Sequence, residues 1–478
     1  MQKKLKYVTM INDVNSKNLY LVNMYKFVVK FCIYVTLNER YEMMKIWYYT
    51  FGCKVNQYET ENIKESFHSR GCEDAENFSD AQVCIVNTCT VTAQSDSKCR
   101  QLIHKIKKEN PECVLVLAGC FPQAFAEKAG EMTECDIIVG TGNKNEIPSL
   151  TEEFIENRKR IVKINPREKG EKFEPMTNSG EETRTRAYIK IQDGCDQYCT
   201  YCIIPFARGH ICSKPLGEIK EEVKRLVETG HKEIILTGIN LCCYGRDFRN
   251  GTRLIDAIET ACGEDGDYRV RLSSVEPELI SDDDIARMSL QKKLCPHFHL
   301  SLQSGCDKTL KAMNRHYNCE QYRILCGKLR ENFPDCAITT DIMVGFPDET
   351  QQDFEESLKF AEEIAFADAH IFPYSRRSGT IADKMDGQID KKTKHSRAVK
   401  MAEICSQSRK KYLSGFVGKE MRVLFEKENS PLWHQGHTGN YIPVRVKREN
   451  PLMSLRRRFE TVKITNSDGE YCYGEIIR

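Results

Sequence analysis

Three cysteines within one short stretch constrain this chain more than anything else in it. In Gly194-Cys-Asp-Gln-Tyr-Cys-Thr-Tyr-Cys202 they stand at Cys195, Cys199 and Cys202, the spacing Cys-x3-Cys-x2-Cys. Thiolates held that close can ligate three irons of one cuboidal iron–sulfur cluster and leave the fourth iron without a protein ligand. An iron with a vacant site can bind a small molecule. The competing readings are a zinc site or three buried thiols. Structural zinc usually takes four ligands in two pairs, and no matching fourth ligand lies nearby. Ligand number and softness therefore favour the cluster. Tyr201, just before the third cysteine, would cover one side of it.

The 478 residues imply about three domains at roughly 150 residues each. With 40% hydrophobic and 29% charged residues the chain has the make-up of an ordinary soluble protein. A net charge of +2 announces no global field for nucleic acid, so an RNA site has to be a local patch. The 23 cysteines come without a cleavable signal peptide and fall in apolar strands and at strand ends. That points to metal ligation in a reducing cytoplasm. Leu19 to Leu37 is apolar but interrupted by Asn23, Lys26 and Lys30, a poor membrane span, so no membrane partner is expected. Met43 and Met44 precede the first good strand, and residues 1–43 read as an extension or a mis-assigned leader.

Residues 44–150 alternate strand and helix: Ile46–Phe51, Val83–Val86, Val114–Ala118 and Ile137–Val139 as strands, Glu61–Ser69 and Lys98–Lys108 as helices. Such alternation predicts a doubly wound parallel α/β domain. Cys53, Cys89 and Cys120 each follow a strand, and strand C-termini collect at one edge of an open α/β sheet. Three thiolates can converge there on a second cluster. The bland alternative, small buried residues, fits Cys72, Cys84, Cys113 and Cys135. Residues 151–183, charged and holding Pro166 and Pro175, read as a linker.

Residues 184–414 hold six strand candidates: Ala187–Gln192, Glu233–Thr237, Tyr268–Ser273, His297–Leu302, Ile338–Val344 and Asp368–Phe372. Helical stretches such as Leu216–Glu228, Glu278–Leu290, Glu320–Asn332 and Phe354–Ile364 separate them. Six βα units predict a partial (β/α)6 barrel whose chemistry sits on the loops after the strands. His297 and His299 share a strand face and read as hydrogen-bonded histidines rather than a metal pair. The adjacent Cys242 and Cys243 read as non-ligands. Residues 415–478 change to short strands and turns, with a hairpin signal at Asp468-Gly469, and predict a small antiparallel β-barrel. Arg445, Lys447 and Arg448, then Arg456, Arg457 and Arg458, form basic groups beside Trp433 and Tyr441, a pairing that suits loop or single-stranded RNA. A solvated charged face is the plainer alternative.

Lys190-Ile-Gln-Asp-Gly-Cys195 and Cys202-Ile-Ile-Pro-Phe-Ala-Arg-Gly209 resemble the radical S-adenosylmethionine (SAM) methylthiotransferase family, over a span from about Lys45 to the C-terminus. Its members insert a methylthio group into tRNA adenosines or a ribosomal protein. The resemblance implies two 4Fe-4S clusters, one on Cys195, Cys199 and Cys202 and an auxiliary one on Cys53, Cys89 and Cys120, with SAM as radical source and methyl donor. It implies SAM contacts at Gly238 for the methionine part, Ser273 and Ser274 for the ribose, and Gly345 and Phe346 for the adenine. Gly436 to Val444 and Asp468 to Ile476 resemble the family's RNA-binding TRAM domain. The expected partners are a tRNA anticodon loop, an electron donor such as flavodoxin or ferredoxin, and a sulfur donor. Phe51-Gly-Cys-Lys-Val-Asn-Gln-Tyr-Glu-Thr60 is similar to the branch acting on N6-threonylcarbamoyladenosine at position 37. An isopentenyl-adenosine tRNA and a ribosomal-protein aspartate are the alternatives within the family. A non-catalytic iron–sulfur RNA-binding or redox-sensing protein is the alternative outside it. Three positions depart from the family pattern: His210 opens a stretch that is usually basic, and Ser301 and Ile381 replace prolines. The first puts a basic substrate contact in doubt.

Overall fold

Continuous apolar runs form the middle of the first sheet. Val83–Thr88 (β3) and Val114–Gly119 (β4) are buried at every residue, as parallel strands covered on both faces must be. The computed structural model describes residues 44–176, 185–426, 430–450 and 453–477, so the expectation for residues 1–43 lies outside the described residues. Around the two central strands lie Lys45–Thr50 (β1), Glu73–Asp74 (β2), Ile137–Val139 (β5) and Ile161–Lys163 (β6), all parallel, in the order β2-β1-β3-β4-β5-β6. Helices Lys54–His68 and Ile147–Asn157 cover one face through Ile63, Phe67 and Phe154; Ala93–Glu109 covers the other through Ile103 and Ile106. From β1 the chain goes first to one side and then to the other, so a crevice opens between the C-terminal ends of β1 and β3.

Two sequence expectations change here. The first helix begins at Lys54, directly after Cys53, and not at Glu61, because Val55, Ile63 and Phe67 already make a buried stripe at helical spacing. The stretch read as a linker starts with the rest of helix Ile147–Asn157 and then β6, whose Ile161–Lys163 pairs with β5 at the sheet edge.

The central wall is parallel: Arg186–Lys190, Glu233–Thr237, Arg269–Leu272 continuing as Ser274–Val275, His297–Leu300, Ala337–Val344 and Asp368–Pro373. The break at Ser273 divides it into a three-stranded and a four-stranded sheet. Alternate residues face opposite ways. Ile189, Ile234, Leu236, Val270, Leu272, Phe298 and Leu300 join the main core with the outer helices. Their neighbours Arg186, Lys190, Glu233, Arg269, Arg271, Ser273, His297 and His299 therefore line the inner side, which is a polar chamber. A 24-residue helix, Lys391–Ser414, that the sequence did not signal follows the last strand.

The C-terminal barrel closes in the order Glu420–Phe425, Trp433–Thr438, Pro443–Lys447, Cys472–Ile476, Phe459–Ser467. Four joins are antiparallel; Pro443–Lys447 and Cys472–Ile476 run parallel, a departure from the all-antiparallel expectation that closes the ring. Trp433–Thr438 escaped the sequence reading because Trp-His-Gln-Gly-His-Thr has one strongly apolar residue.

Candidate functional site

The cluster loop is tied to its surroundings through its backbone. Cys195 N donates to Gly209 O (3.0 Å), Cys202 N to Cys199 O (2.9 Å) and Thr200 N to Met313 O (3.1 Å). Gly194 adopts φ +71°, and a Cβ there would collide with the carbonyl of His210. Each of two sulfurs faces a donor: Arg315 Nη1 lies 3.3 Å from Cys199 Sγ, and Asn240 Nδ2 3.9 Å from Cys195 Sγ. Arg315 also pairs with Glu276. Burial pushes the Cys195 thiol up to about 11 and raises those of Cys199 and Cys202; Arg315 opposes the rise at Cys199. The three thiols sense one another's charge, so they share one site.

The second triad forms at the crevice of the first sheet. Cys53 stands at the position just before helix Lys54–His68, Cys89 follows β3 and Cys120 follows β4. Gly52 adopts φ +100°, and a Cβ would stand 2.5 Å from the Cβ of Cys89, so only glycine brings the first loop this near the second. Cys89 lies within electrostatic reach of both Cys120 and Cys53. Burial pushes Cys89 up to about 12 and also raises Cys120, against the pull of Arg208 and Lys144. Arg208 Nε donates to Cys120 Sγ at 3.2 Å. Cys72, Cys84, Cys113 and Cys135 are buried in the cores or beside them, as expected.

Neither triad brings its three sulfurs within 4.8 Å of one another, as a single ion would require. Zinc with bonds of ~2.3 Å would hold them tighter than that. Wider thiol triads with N–H donors aimed at sulfur fit cuboidal clusters, whose ligand sulfurs stand further apart and are tuned by such donors. Among the described residues only Cys306, Asp353 and Glu356 fit one ion, and Asp353 is already engaged with Lys308 and the Thr350 cap.

Arg208 is the residue the sequence reading missed. It is fully buried and also bonds Glu59, Asn56 and Asp193. Glu59 in turn holds Lys144 and Lys190. Burial alone would raise the Glu59 carboxyl; Arg208, Lys144 and Lys190 override it and hold it well below the usual range. Arg208 touches one triad, and the next residue, Gly209, accepts from Cys195 of the other. Two consecutive residues thus join both sites. The available signal was Glu59 itself, a charge between Val55 and Ile63 on an apolar stripe.

The remaining expected contacts divide. Ser273 is buried with a hydroxyl that has no partner among the described residues, as is Asn240 Oδ1; both are free to take a ligand. Ser274 is exposed and is in register with His299, so past the break at Ser273 it too faces the chamber. Gly238 leaves no room for a side chain beside Gln192, whose Nε2 donates to Asp193 O and Gly194 O at 2.7 Å each. Gly345 (φ +71°) lies against Lys394. Phe346 is corrected from an adenine cover to a support: it is fully buried, edge-on to Tyr201 and Tyr374. His299 bonds Thr339 (3.0 Å), as a hydrogen-bonded histidine should. His210 pairs with Asp196, Ser301 is buried and Ile381 is exposed.

Tyr441 is held from several sides. Its ring is stacked on His437 (4.5 Å), the Arg271 guanidinium lies 4.5 Å from its centroid, and its hydroxyl accepts from Arg186 (3.0 Å). Those contacts dock the C-terminal barrel under the chamber, with Tyr441 still 38% exposed. Arg445 stacks over Tyr471, Trp433 meets Tyr473 edge-on, and Arg458 pairs with Glu460; Lys447 is exposed, and Arg456 and Arg457 are half-buried.

Known proteins resemble this chain. Residues 189–361 match the model described as Radical SAM superfamily, and residues 45–140 the one described as Uncharacterized protein family UPF0004. The chain is 34% identical to threonylcarbamoyladenosine tRNA methylthiotransferase MtaB of Bacillus subtilis, over 91% of this chain and 97% of the relative. It is 39% identical to its namesake in Thermotoga maritima, over 79% and 85%. It is 33% identical to tRNA-2-methylthio-N(6)-dimethylallyladenosine synthase of Caldicellulosiruptor saccharolyticus, over 90% and 91%. Among solved structures, the radical S-adenosylmethionine methyltransferase TsrM from Kitasatospora setae, with tryptophan and a SAM analog bound, superposes with a TM-score of 0.51. It shares 13% identity over 69% of this chain and 73% of its own, a likeness of fold alone.

Proposed function

This chain belongs to the radical-SAM tRNA methylthiotransferases, and from that premise we propose that it adds a methylthio group to C2 of N6-threonylcarbamoyladenosine at position 37 of tRNA. The observation that carries the reading is the pair of thiol triads joined through Arg208 and Gly209 beside one polar chamber. The relatives named for that nucleoside, at 34–39% identity, support it.

The family's cofactors are 4Fe-4S clusters and SAM. When bound, they supply the electron, the radical, the sulfur and the methyl group that an unactivated adenine C–H requires and side chains cannot provide. In this reading Cys195, Cys199 and Cys202 hold the SAM-binding cluster, and Cys53, Cys89 and Cys120 the auxiliary one. Arg315, Asn240 and Arg208 direct N–H groups at their sulfurs and favour the thiolate form that ligation needs. Ser273 and Asn240 offer unpaired polar atoms to SAM. Gly345 and Gly238 shape the walls, and Phe346 holds Tyr201 in place. Arg456 to Arg458, Lys447, Arg445 and Trp433 are the surface for the tRNA backbone. The same reading divides the chain into 44–150, 184–414 and 415–478, with 151–183 as the connector. It calls for a flavodoxin- or ferredoxin-type reductant and a sulfur donor.

Relatives named for the dimethylallyl nucleoside, at 33% identity, supply a second reading, in which isopentenyl-adenosine tRNA is the substrate. The test is nucleoside mass spectrometry of tRNA from a deletion strain. Loss of the methylthio-threonylcarbamoyl nucleoside is expected; loss of the methylthio-isopentenyl nucleoside instead would overturn the assignment. Among the described residues no helix is long and apolar enough to cross a membrane.

A further inference from the structure

The floor of the chamber carries more positive charge than its own carboxylates balance. Arg186, Arg269 and Arg271 all pair with one buried carboxylate, Glu233, at 3.0, 2.5 and 3.0 Å. Arg186 also meets Glu426. Lys54, directly after Cys53, is exposed at the start of a helix that packs on strand Arg186–Lys190; it lies within electrostatic reach of Arg271, Arg186, Glu233 and His297, and makes no hydrogen bond or ion pair among the described residues. Four cations against two carboxylates leave two positive charges over. Arg271 Nη1 is buried without a partner among the described residues. The other chamber carboxylates are engaged elsewhere: Asp341 lies 3.4 Å from His299, and Asp368 pairs with Arg409. The unanswered charge on the buried arginines is costly, and an anion held between Arg271 and the exposed Lys54 would relieve it.

The position is as telling as the charge. Lys54 stands one residue from a ligand of the auxiliary site. Arg271 shares the inner face of its strand with Ser273, two residues further from the strand's C-terminal end. We propose that Lys54 and Arg271 form a carboxylate receptor below the two cluster sites, and that it reads the threonyl carboxylate of the modified adenosine. This rests on the substrate assigned above. A threonylcarbamoyl group ends in a carboxylate, whereas an isopentenyl group ends in hydrocarbon and would leave both cations unanswered.

The test is equilibrium binding by the holoenzyme, without reductant, of anticodon stem-loops carrying N6-threonylcarbamoyladenosine or its methyl ester. Wild type is expected to prefer the free acid by about 10- to 100-fold. Lys54→Gln loses most of that preference while keeping its iron content and its affinity for the ester; Lys54→Arg keeps the preference. An undiminished preference in Lys54→Gln overturns the receptor. So does an equal loss for acid and ester, which a contact to a tRNA phosphate would give. The substrate reading is checked apart from this, by turnover of wild type with SAM and reductant. Modification of isopentenyl tRNA alone would remove that reading and the receptor with it. Formation of the methylthio-threonylcarbamoyl product together with an indifferent Lys54→Gln would overturn the receptor only.

Discussion

Glu59 occupies a helix position that the pattern around it reserves for an aliphatic side chain. It is fully buried, and Arg208, Lys144 and Lys190 converge on it. Removing one partner from such a cluster strands the others, at about 3–5 kcal/mol. Glu59→Gln is therefore expected to lower stability by that order in urea unfolding, and to reduce iron at the auxiliary site by loosening Arg208. The pH dependence follows from the depressed carboxyl. Its contribution is complete above the unfolded value of roughly 4.3 and is lost as pH falls through the lower folded value. The gap between wild type and variant should thus narrow below about pH 4; a constant gap would mean the charge is not what stabilises. The cysteines were legible because ligand spacing is local in one triad and set by strand ends in the other. Arg208 and Arg315 were not: their partners lie 149 and 116 residues away, and nothing local records such distances.

Helix Lys391–Ser414 shows the same limit for an element. Its buried residues are Arg397, Met401, Cys405 and Leu413, a narrow stripe that opens with an arginine paired to Glu349. A pattern reader sees a charged coil. The strands were easier, since buried parallel strands are written as unbroken apolar runs; the linker was misread because β6 is a three-residue edge with one half-exposed apolar face. The helix start rests on Asp390, whose carboxylate accepts from the backbone N–H of Lys392 and Thr393 at 2.9 and 3.0 Å. Asp390→Ala should cost about 1 kcal/mol, read as a lower thermal midpoint. On the C-terminal barrel, replacing Arg456, Arg457 and Arg458 with Ala should weaken tRNA binding and flatten its dependence on salt, by about 0.7 in logarithmic slope for each single-strand phosphate no longer neutralised. An unchanged affinity at two salt concentrations would move the RNA surface elsewhere.

Across the whole molecule the two thiol triads belong to different sheets yet meet through neighbouring residues of one short helix, Ile204–Arg208, and its glycine stop. They should nevertheless be separable in what they do. Replacing Cys53, Cys89 and Cys120 with Ala is expected to remove about four irons per chain, to preserve 5′-deoxyadenosine formation from SAM, and to abolish the methylthio product. Loss of both activities would show that the first site cannot assemble without the second. The docking of Tyr441 among Arg186, Arg271 and His437 carries a last consequence. The C-terminal barrel is seated against the base of the reaction vessel, so under the proposed function the substrate base comes in from the opposite rim. Tyr441→Ala would let the vessel leak: water would reach the cofactors from below, and SAM would be spent faster than tRNA is finished.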